Sequence, residues 1–260
     1  MEAQLLVALA LGVSRTAVTA QLYPPISPTQ KKRLEELTRR RENRVPFAYL
    51  RGTQEFYGRE FLVSPATLIP RPETEALVDF ALEKFPIEEN FTFADVGTGS
   101  GCIGITLLCE RANSSGVLID LSEEALSMGR KNASILEVDS RAEFRQSNLL
   151  SGVLPESFNL IVSNPPYIPT AELTILQPEV ARYEPEMALD GGADGLELYR
   201  VLILQARVAL KPGGWLAVEI GQGQALDVEQ LFRDAGFLSI KTRNDLAGIG
   251  RMVVGQKQWT

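Results

Sequence analysis

The stretch SNPPYI, residues 163–168, sets an asparagine, two prolines and a tyrosine directly after the apolar run Phe158, Leu160, Ile161 and Val162. Proline fixes φ and lacks an N–H, so Pro165 and Pro166 stiffen the turn and leave backbone carbonyls free to accept hydrogen bonds. Asn164 adds a side-chain acceptor and donor, and Tyr167 a flat ring with a polar tip. Such a turn can grip a planar –NH2 group, with acceptors on both hydrogens and a ring against its plane. Conjugated –NH2 nitrogens are poor nucleophiles because the lone pair is delocalised. Accepting hydrogen bonds from both N–H groups returns density to nitrogen and aims it at an electrophile. No strong base is needed, since an alkylated, still protonated amide nitrogen loses its proton readily to water. The chain has no histidine, which excludes imidazole bases and imidazole metal ligands.

A second stretch, DVGTGSGCIG, supplies Gly97, Thr98, Gly99, Ser100 and Gly101 between a strand and a helix, where backbone N–H groups can meet a ligand. Gly99, Gly101 and Gly104 also satisfy GxGxxG, so this motif alone fits either a dinucleotide-binding dehydrogenase or a nucleoside-binding transferase. Asp120 ends the next strand, GVLID, where α/β nucleoside sites place a carboxylate on ribose hydroxyls. Ser122 offers a competing local role as cap of the following helix. Cys102, at the start of the helix after the glycines, is expected to be a small core residue, with Cys109 one heptad on along the same face.

The elements that position these residues show in the rhythm of the chain. From Phe91 onward the strands FTFADV, GVLIDL, FNLIVS and GWLAVEI alternate with helical patterns such as SEEALSMGRKNASIL and GLELYRVLILQARVAL. That alternation predicts an α/β fold, a parallel sheet with helices on both faces. Ligands of such sheets bind outside the carboxyl ends of the strands, so the turn after FNLIVS belongs beside the glycine turn and Asp120. Before this region lie a hairpin pattern, EFYGREFLV, turning at Gly58-Arg59, and TLIPRPETEALVDFALEKF, with a helix beginning at the Pro-Glu-Thr-Glu turn. The first 50 or so residues read as helices broken by YPPISPTQ, with Ser27 capping and Pro28 opening the second of them.

Of 260 residues, 45% are apolar, enough for a packed core in one sizeable α/β domain and a smaller one. The net charge of −7 argues against a general nucleic-acid binder. The helix after Ser27 runs the other way, with seven basic residues from Lys31 to Arg44 against three glutamates. This is either a solvated face laced by ion pairs or a docking surface. Two cysteines make no CxxC pair and no disulfide framework, which fits a reducing cytoplasm. The opening MEAQLLVALALGVSRT reads as neither signal peptide nor membrane span.

DVGTGSG, GVLIDLS and NPPYI resemble successive motifs of the class I S-adenosylmethionine-dependent methyltransferases that modify exocyclic or amide –NH2 groups. NPPY alone is shared with adenine and cytosine amino-methyltransferases of DNA and RNA. The further segments RVPFAYLRGTQEFYGREFLV, TLIPRPETEALV, YEPEMALDGGADGLELYR, KPGGWLAVEIGQGQ and DLAGIGR resemble the release factor glutamine methyltransferase family, from about Gly12 to the C-terminus.

The resemblance implies a doubly wound seven-stranded class I methyltransferase sheet with a small N-terminal helical domain. The divisions it implies are 1–50 for the helical substrate-docking domain, 51–75 for a hairpin linker and 76–260 for the methyltransferase domain. The implied reaction moves a methyl group from S-adenosyl-L-methionine, the cofactor, to the amide nitrogen of glutamine in the Gly-Gly-Gln motif of peptide chain release factors. By the same resemblance Gly97, Thr98, Gly99, Ser100 and Gly101 hold the methionine part, Asp120 the ribose, and Asn148 and Leu149 the adenine. Asn164, Pro165, Pro166 and Tyr167 hold the substrate amide; Asn164 also borders the cofactor, and Asn164 and Tyr167 are the catalytic pair. Asn148 stands where the family often has Asp, which keeps a hydrogen-bonding side chain but changes its charge and donor pattern. The family further implies a cytoplasmic monomer with no stable nucleic-acid partner, no membrane association and no metal. The alternative reading is an amino-methyltransferase acting on adenine of DNA or RNA.

Overall fold

The computed structural model describes residues 2–245 and 247–259; Met1, Thr260 and Leu246, the last inside the DLAGIGR segment, lie outside them. Four helices come first: α1 (Glu2–Leu11), α2 (Arg15–Thr19), α3 (Pro28–Glu42) and α4 (Phe47–Arg51). Ser27 caps α3 as expected, accepting from the Gln30 N–H while the Gln30 side chain accepts from the Ser27 N–H. Leu6, Ala10, Leu37 and Leu50 close a small core between α1, α3 and α4.

The hairpin follows as β1 (Thr53–Phe56) and β2 (Arg59–Leu62). Its turn was expected at Gly58-Arg59 but is centred one residue earlier, with Phe56 paired to Arg59 and Tyr57 and Gly58 at φ +52° and +72°. Two left-handed residues match the twist of the flanking strands, and Tyr57 is held in that conformation from outside the hairpin. Its N–H donates to Glu75 Oε1 and its hydroxyl to Asp79 Oδ1, both at 2.8 Å. A single turn of 3₁₀ helix at Pro72–Thr74 then leads into α5 (Glu75–Lys84).

The remaining elements are β3 (Thr92–Val96), α6 (Cys102–Glu110), β4 (Ser115–Asp120), α7 (Glu123–Ile135), β5 (Ala142–Gln146), β6 (Phe158–Ser163), α8 (Pro178–Tyr183), α9 (Glu197–Ala209), β7 (Leu210–Glu219), α10 (Ala225–Asp234), β8 (Leu238–Asn244) and β9 (Gly250–Gln256). Seven strands form one sheet in the order β5-β4-β3-β6-β7-β9-β8, parallel except where β9 runs against β7 and β8. The central strands are buried on both faces, which is why β6 reads as a continuous apolar run. One core layer gathers Phe80, Phe93, Ile105 and Leu108, the other Tyr199, Leu202, Val218 and Phe232.

Strand order reverses between β3 and β6, so the crevice of this sheet opens at their carboxyl ends. Gly97, Asp120 and Asn164 follow or end β3, β4 and β6 there, and Glu219 ends β7 beside them. Helix α3 is tied to α8 by side chains. Glu179 accepts from Arg41 at 3.0 Å and from Arg44 at 3.1 Å, and the Tyr183 hydroxyl donates to the Asn43 carbonyl at 2.6 Å. Among the described residues no helix is long and apolar enough to cross a membrane.

Candidate functional site

Below the glycine turn, Asp95 on β3 organises the backbone. Its Oδ2 accepts from the Thr98 hydroxyl at 2.6 Å and from the Gly104 N–H at 2.9 Å, while Oδ1 has no partner among the described residues. Burial pushes this carboxyl up to about 6, against the opposing pull of those two donors. A carboxyl raised on folding holds more protons in the folded chain than in the unfolded one. Its contribution to stability is therefore greatest below its ordinary value of 3.8 and is lost as pH climbs through about 6. In Asp95→Asn that part of the decline should be missing, which thermal unfolding over this pH interval reads directly; parallel curves for the two proteins would contradict it.

Gly101 precedes α6 at φ +82°, and a Cβ there would stand 2.5 Å from Ile105 Cδ1. The left-handed backbone favours glycine, and any larger residue would also have to displace the Ile105 side chain. The turn is fastened to the next strand as well: Asp120 Oδ2 accepts from the Gly99 N–H at 2.8 Å and Oδ1 from the Ser122 N–H at 3.0 Å. Burial raises the Asp120 carboxyl, with the Ser122 and Gly99 N–H groups opposing. Ser122 does cap α7, accepting from Ala125 N–H at 3.1 Å, so the local and the site roles in DLSEEAL fall on different residues.

A cavity of about 500 Å³ occupies the crevice. Gly97, Thr98, Gly99, Ser100, Asp120, Asn148, Leu149, Asn164 and Pro166 all line it. Gly101 and Pro165 do not: both are buried, Gly101 against Ile105 and Pro165 within the turn. Their contribution is to the shape of the two turns. The volume suits a nucleoside carrying an amino-acid tail, and a half-buried carboxylate between two backbone donors retains lone pairs for hydroxyl groups. Leu149 sits at φ +52°, which turns the chain after β5 so that Asn148 and Leu149 both face the cavity.

Tyr167 lines a second, adjoining cavity of about 390 Å³ with Ile168, Gln177 and Val180. Asn164, Arg71, Leu68 and Ala188 line both, so Asn164 stands where the two meet. Burial pushes the Tyr167 phenol up to about 12, which keeps it neutral. The turn that carries it is clamped from behind. The Tyr167 carbonyl accepts from Gln224 Nε2 at 2.9 Å, and a Cβ on Gly191 would stand 2.7 Å from Tyr167 Cα. At the mouth, Arg71 donates to Glu184, which also accepts from the Ile69 N–H at 3.1 Å. Cys102 is buried in the core and burial raises its thiol well above the ordinary value, as a packing residue requires; Cys109 is half-buried.

Four residues at the site carry no motif signal of their own: Arg71, Thr74, Glu219 and Gln224. Each lies inside a segment quoted above, but nothing in its local spacing separates it from a surface or core residue. Among the described residues no group of His, Cys, Asp and Glu could hold a metal ion.

The family described as "Methyltransferase small domain" matches residues 74–178, and "PrmC N-terminal domain" matches residues 1–52. The chain is 42% identical over 257 residues to "Release factor glutamine methyltransferase" of Caulobacter vibrioides, covering 99% of this chain and 89% of that protein. To the protein of that name in Geobacter sulfurreducens it is 41% identical over 256 residues, with 98% and 89% covered. Among solved structures, a methyltransferase from Pyrococcus furiosus superposes with a TM-score of 0.57 at 17% identity, over 86% of this chain and 98% of that one, a likeness of fold. Identity above 40% along nearly the whole of both chains, on a sheet whose crevice carries the NPPY turn, shows that the chain belongs to the release factor glutamine methyltransferase family.

Proposed function

We propose that the chain methylates the side-chain amide nitrogen of the glutamine in the Gly-Gly-Gln motif of peptide chain release factors, with S-adenosyl-L-methionine in the larger cavity and the glutamine entering through the smaller. The observation that carries this reading is Asn164 at the junction of the two cavities, a place where two substrates would meet. S-adenosylmethionine supplies the electrophilic methyl carbon. Asp120 would hold its ribose hydroxyls, the turn from Gly97 to Ser100 its methionine part, and Asn148 and Leu149 its adenine. Asn164 Oδ1 and the carbonyl of the rigid turn accept from the two hydrogens of the glutamine amide, and the Tyr167 ring packs against its plane. Orientation and fixed dipoles do the work, with water taking the proton at the end.

The division into a docking domain (1–50), a hairpin linker (51–75) and a methyltransferase domain (76–260) belongs to this proposal. Arg71 and Thr74 of the linker line the larger cavity, so the linker would contribute to the site as well as join its flanks. A site that recognises only a small amide and its glycines leaves discrimination to remote contacts. On α3, Arg39 and Arg40 are exposed and make no ion pair among the described residues, whereas Arg41 is engaged with Glu2 and Glu179. Of these three consecutive arginines, Arg39 and Arg40 are then the two available for docking, beside the exposed Lys31, Lys32 and Arg33 of the same helix.

The test is mass spectrometry of an intact release factor, and of a short Gly-Gly-Gln peptide, incubated with the protein and S-adenosylmethionine. The intact factor should gain one methyl group on that glutamine much faster than the peptide. Arg39→Glu with Arg40→Glu should lower kcat/KM for the intact factor by about tenfold, more at low salt, and spare the peptide. Equal losses on both substrates would make this face of α3 merely structural. An untouched release factor would end the proposal.

A further inference from the structure

Thr74 and Glu219 reach Asn164 through a directed chain of hydrogen bonds. Asn164 Nδ2 donates to Thr74 Oγ1 at 3.3 Å, and the Thr74 hydroxyl donates to Glu219 Oε2 at 2.6 Å. Thr74 and Glu219 are 3% and 5% exposed, so water cannot substitute for either partner. A threonine hydroxyl has a single proton. While that proton goes to a carboxylate, Oγ1 can only accept, and Asn164 must turn its NH2 group toward Thr74. Its Oδ1 is then left facing the cavities, ready to accept from a substrate N–H. A protonated Glu219 reverses the chain: its O–H donates to Thr74, the Thr74 proton is freed for Asn164 Oδ1, and the NH2 group turns to the substrate. Donor then faces donor.

We propose that Glu219, acting through Thr74, is a positioning residue that fixes which end of the Asn164 amide faces the glutamine; this rests on the methyl transfer at Asn164 put forward above. The two residues come from distant parts of the chain, the 3₁₀ turn before α5 and the end of β7, and meet because α5 packs against β6 and β7, which the sheet holds side by side.

The surroundings of Glu219 make the polarity of this chain sensitive to pH near neutrality. Burial is the largest influence and raises the carboxyl to about 7, the Thr74 hydroxyl opposing it. Of the charges that face it, Glu73 raises it further, and Arg251 and Arg71 lower it. Both arginines are already paired, Arg251 with Asp245 at 3.0 Å and Arg71 with Glu184. The other titratable neighbours are the phenols of Tyr199 and Tyr167 and the thiol of Cys102, all raised by burial and so neutral in this range. Tyr199 also donates to the Glu219 carbonyl at 2.7 Å, which anchors the residue without touching its carboxylate. The productive polarity therefore prevails above neutral pH and fades below it.

Single-turnover methylation of an intact release factor at saturating S-adenosylmethionine, measured across the neutral range, tests this. The wild-type rate should rise with pH to a plateau through an ionisation near neutrality. Thr74→Val should lower the plateau by about tenfold, less than deletion of a group that touches the reacting amide, and should remove the ionisation. Thr74→Ser, which keeps the hydroxyl, should recover most of the rate together with the ionisation. Glu219→Gln should give a lowered and pH-independent rate. Because Thr74 also lines the larger cavity, calorimetric S-adenosylmethionine affinity should fall by much less than the rate in Thr74→Val and be kept in Thr74→Ser, which separates positioning from misfolding. The inference is overturned if Thr74→Val keeps the wild-type rate and profile, or if Thr74→Ser falls as far as Thr74→Val. Should Glu219→Gln fail to fold, the threonine pair decides alone. A wild-type protein that leaves the release factor unmethylated would strike the methyl-transfer reading itself, a result distinct from either.

Discussion

Asn164→Ala should slow the methyl-transfer step by roughly a hundred- to a thousandfold while leaving S-adenosylmethionine affinity close to that of the wild type. The magnitude is that of removing one preorganised hydrogen-bonding group from a developing charge. The split between rate and affinity follows from where Asn164 stands. It lines both cavities, and its Nδ2 donates to Thr74, which in the proposed mechanism leaves Oδ1 to meet the substrate nitrogen. That contact strengthens as density builds on the attacking nitrogen, so its loss is felt in the transition state more than in the ground state. Tyr167→Phe should be mild and Tyr167→Ala severe, because the ring packs against the core and its hydroxyl makes no hydrogen bond among the described residues. Single-turnover rates measured at saturating cofactor decide both points. A rate for Asn164→Ala within tenfold of wild type would refute its role.

Asp120→Ala should weaken S-adenosylmethionine binding by about 1.5–3 kcal/mol, the usual contribution of a hydrogen bond to a charged acceptor. That corresponds to roughly ten- to a hundredfold or a little more in Kd. The structure adds a second reason. The carboxylate also accepts from the N–H groups of Gly99 and Ser122, so its removal leaves the Gly99 N–H unpaired and loosens the glycine turn that the cofactor would contact. Asp120→Asn keeps one acceptor oxygen and should lie between the two. Isothermal titration calorimetry checks the series, and an affinity unchanged in Asp120→Ala would take Asp120 out of the site. Nicotinamide dinucleotide bound in place of S-adenosylmethionine would count against the transferase chemistry, since GxGxxG is present in both kinds of site.

What the sequence determined by itself was local. The stiffness of the Asn-Pro-Pro-Tyr turn, the permissiveness of Gly97, Gly99 and Gly101, the Ser27 and Ser122 caps and the alternation of apolar strands with amphipathic helices all follow from residue type and spacing within a few turns of chain. These are the scales on which backbone sterics and hydrophobic periodicity act. Because a parallel sheet exposes its crevice at the carboxyl ends of its strands, the same local signals were enough to bring the two motifs and Asp120 together. The outer strands were less legible. β5, β8 and β9 carry charged residues, as in AEFRQ and LSIKTRN, and β5 and β8 are edge strands, so their alternation is faint and the seven-stranded count came from family resemblance.

What only the tertiary structure decided was which distant side chains meet and how dry their meeting place is. The hairpin turn shifted by a residue because Glu75 and Asp79, well beyond the hairpin, hold Tyr57. Arg41 is withdrawn from the basic face of α3 because α8 brings Glu179 to it. Glu219 reads in the sequence as one more residue of AVEIG; its proximity to Thr74 and its loss of water come from the order of strands in the sheet and from the packing of α9 and the 3₁₀ turn around it. No period or propensity encodes those quantities, because desolvation depends on every element that closes over a group, and a carboxyl's proton affinity near neutral pH is set by that enclosure rather than by its neighbours in the chain.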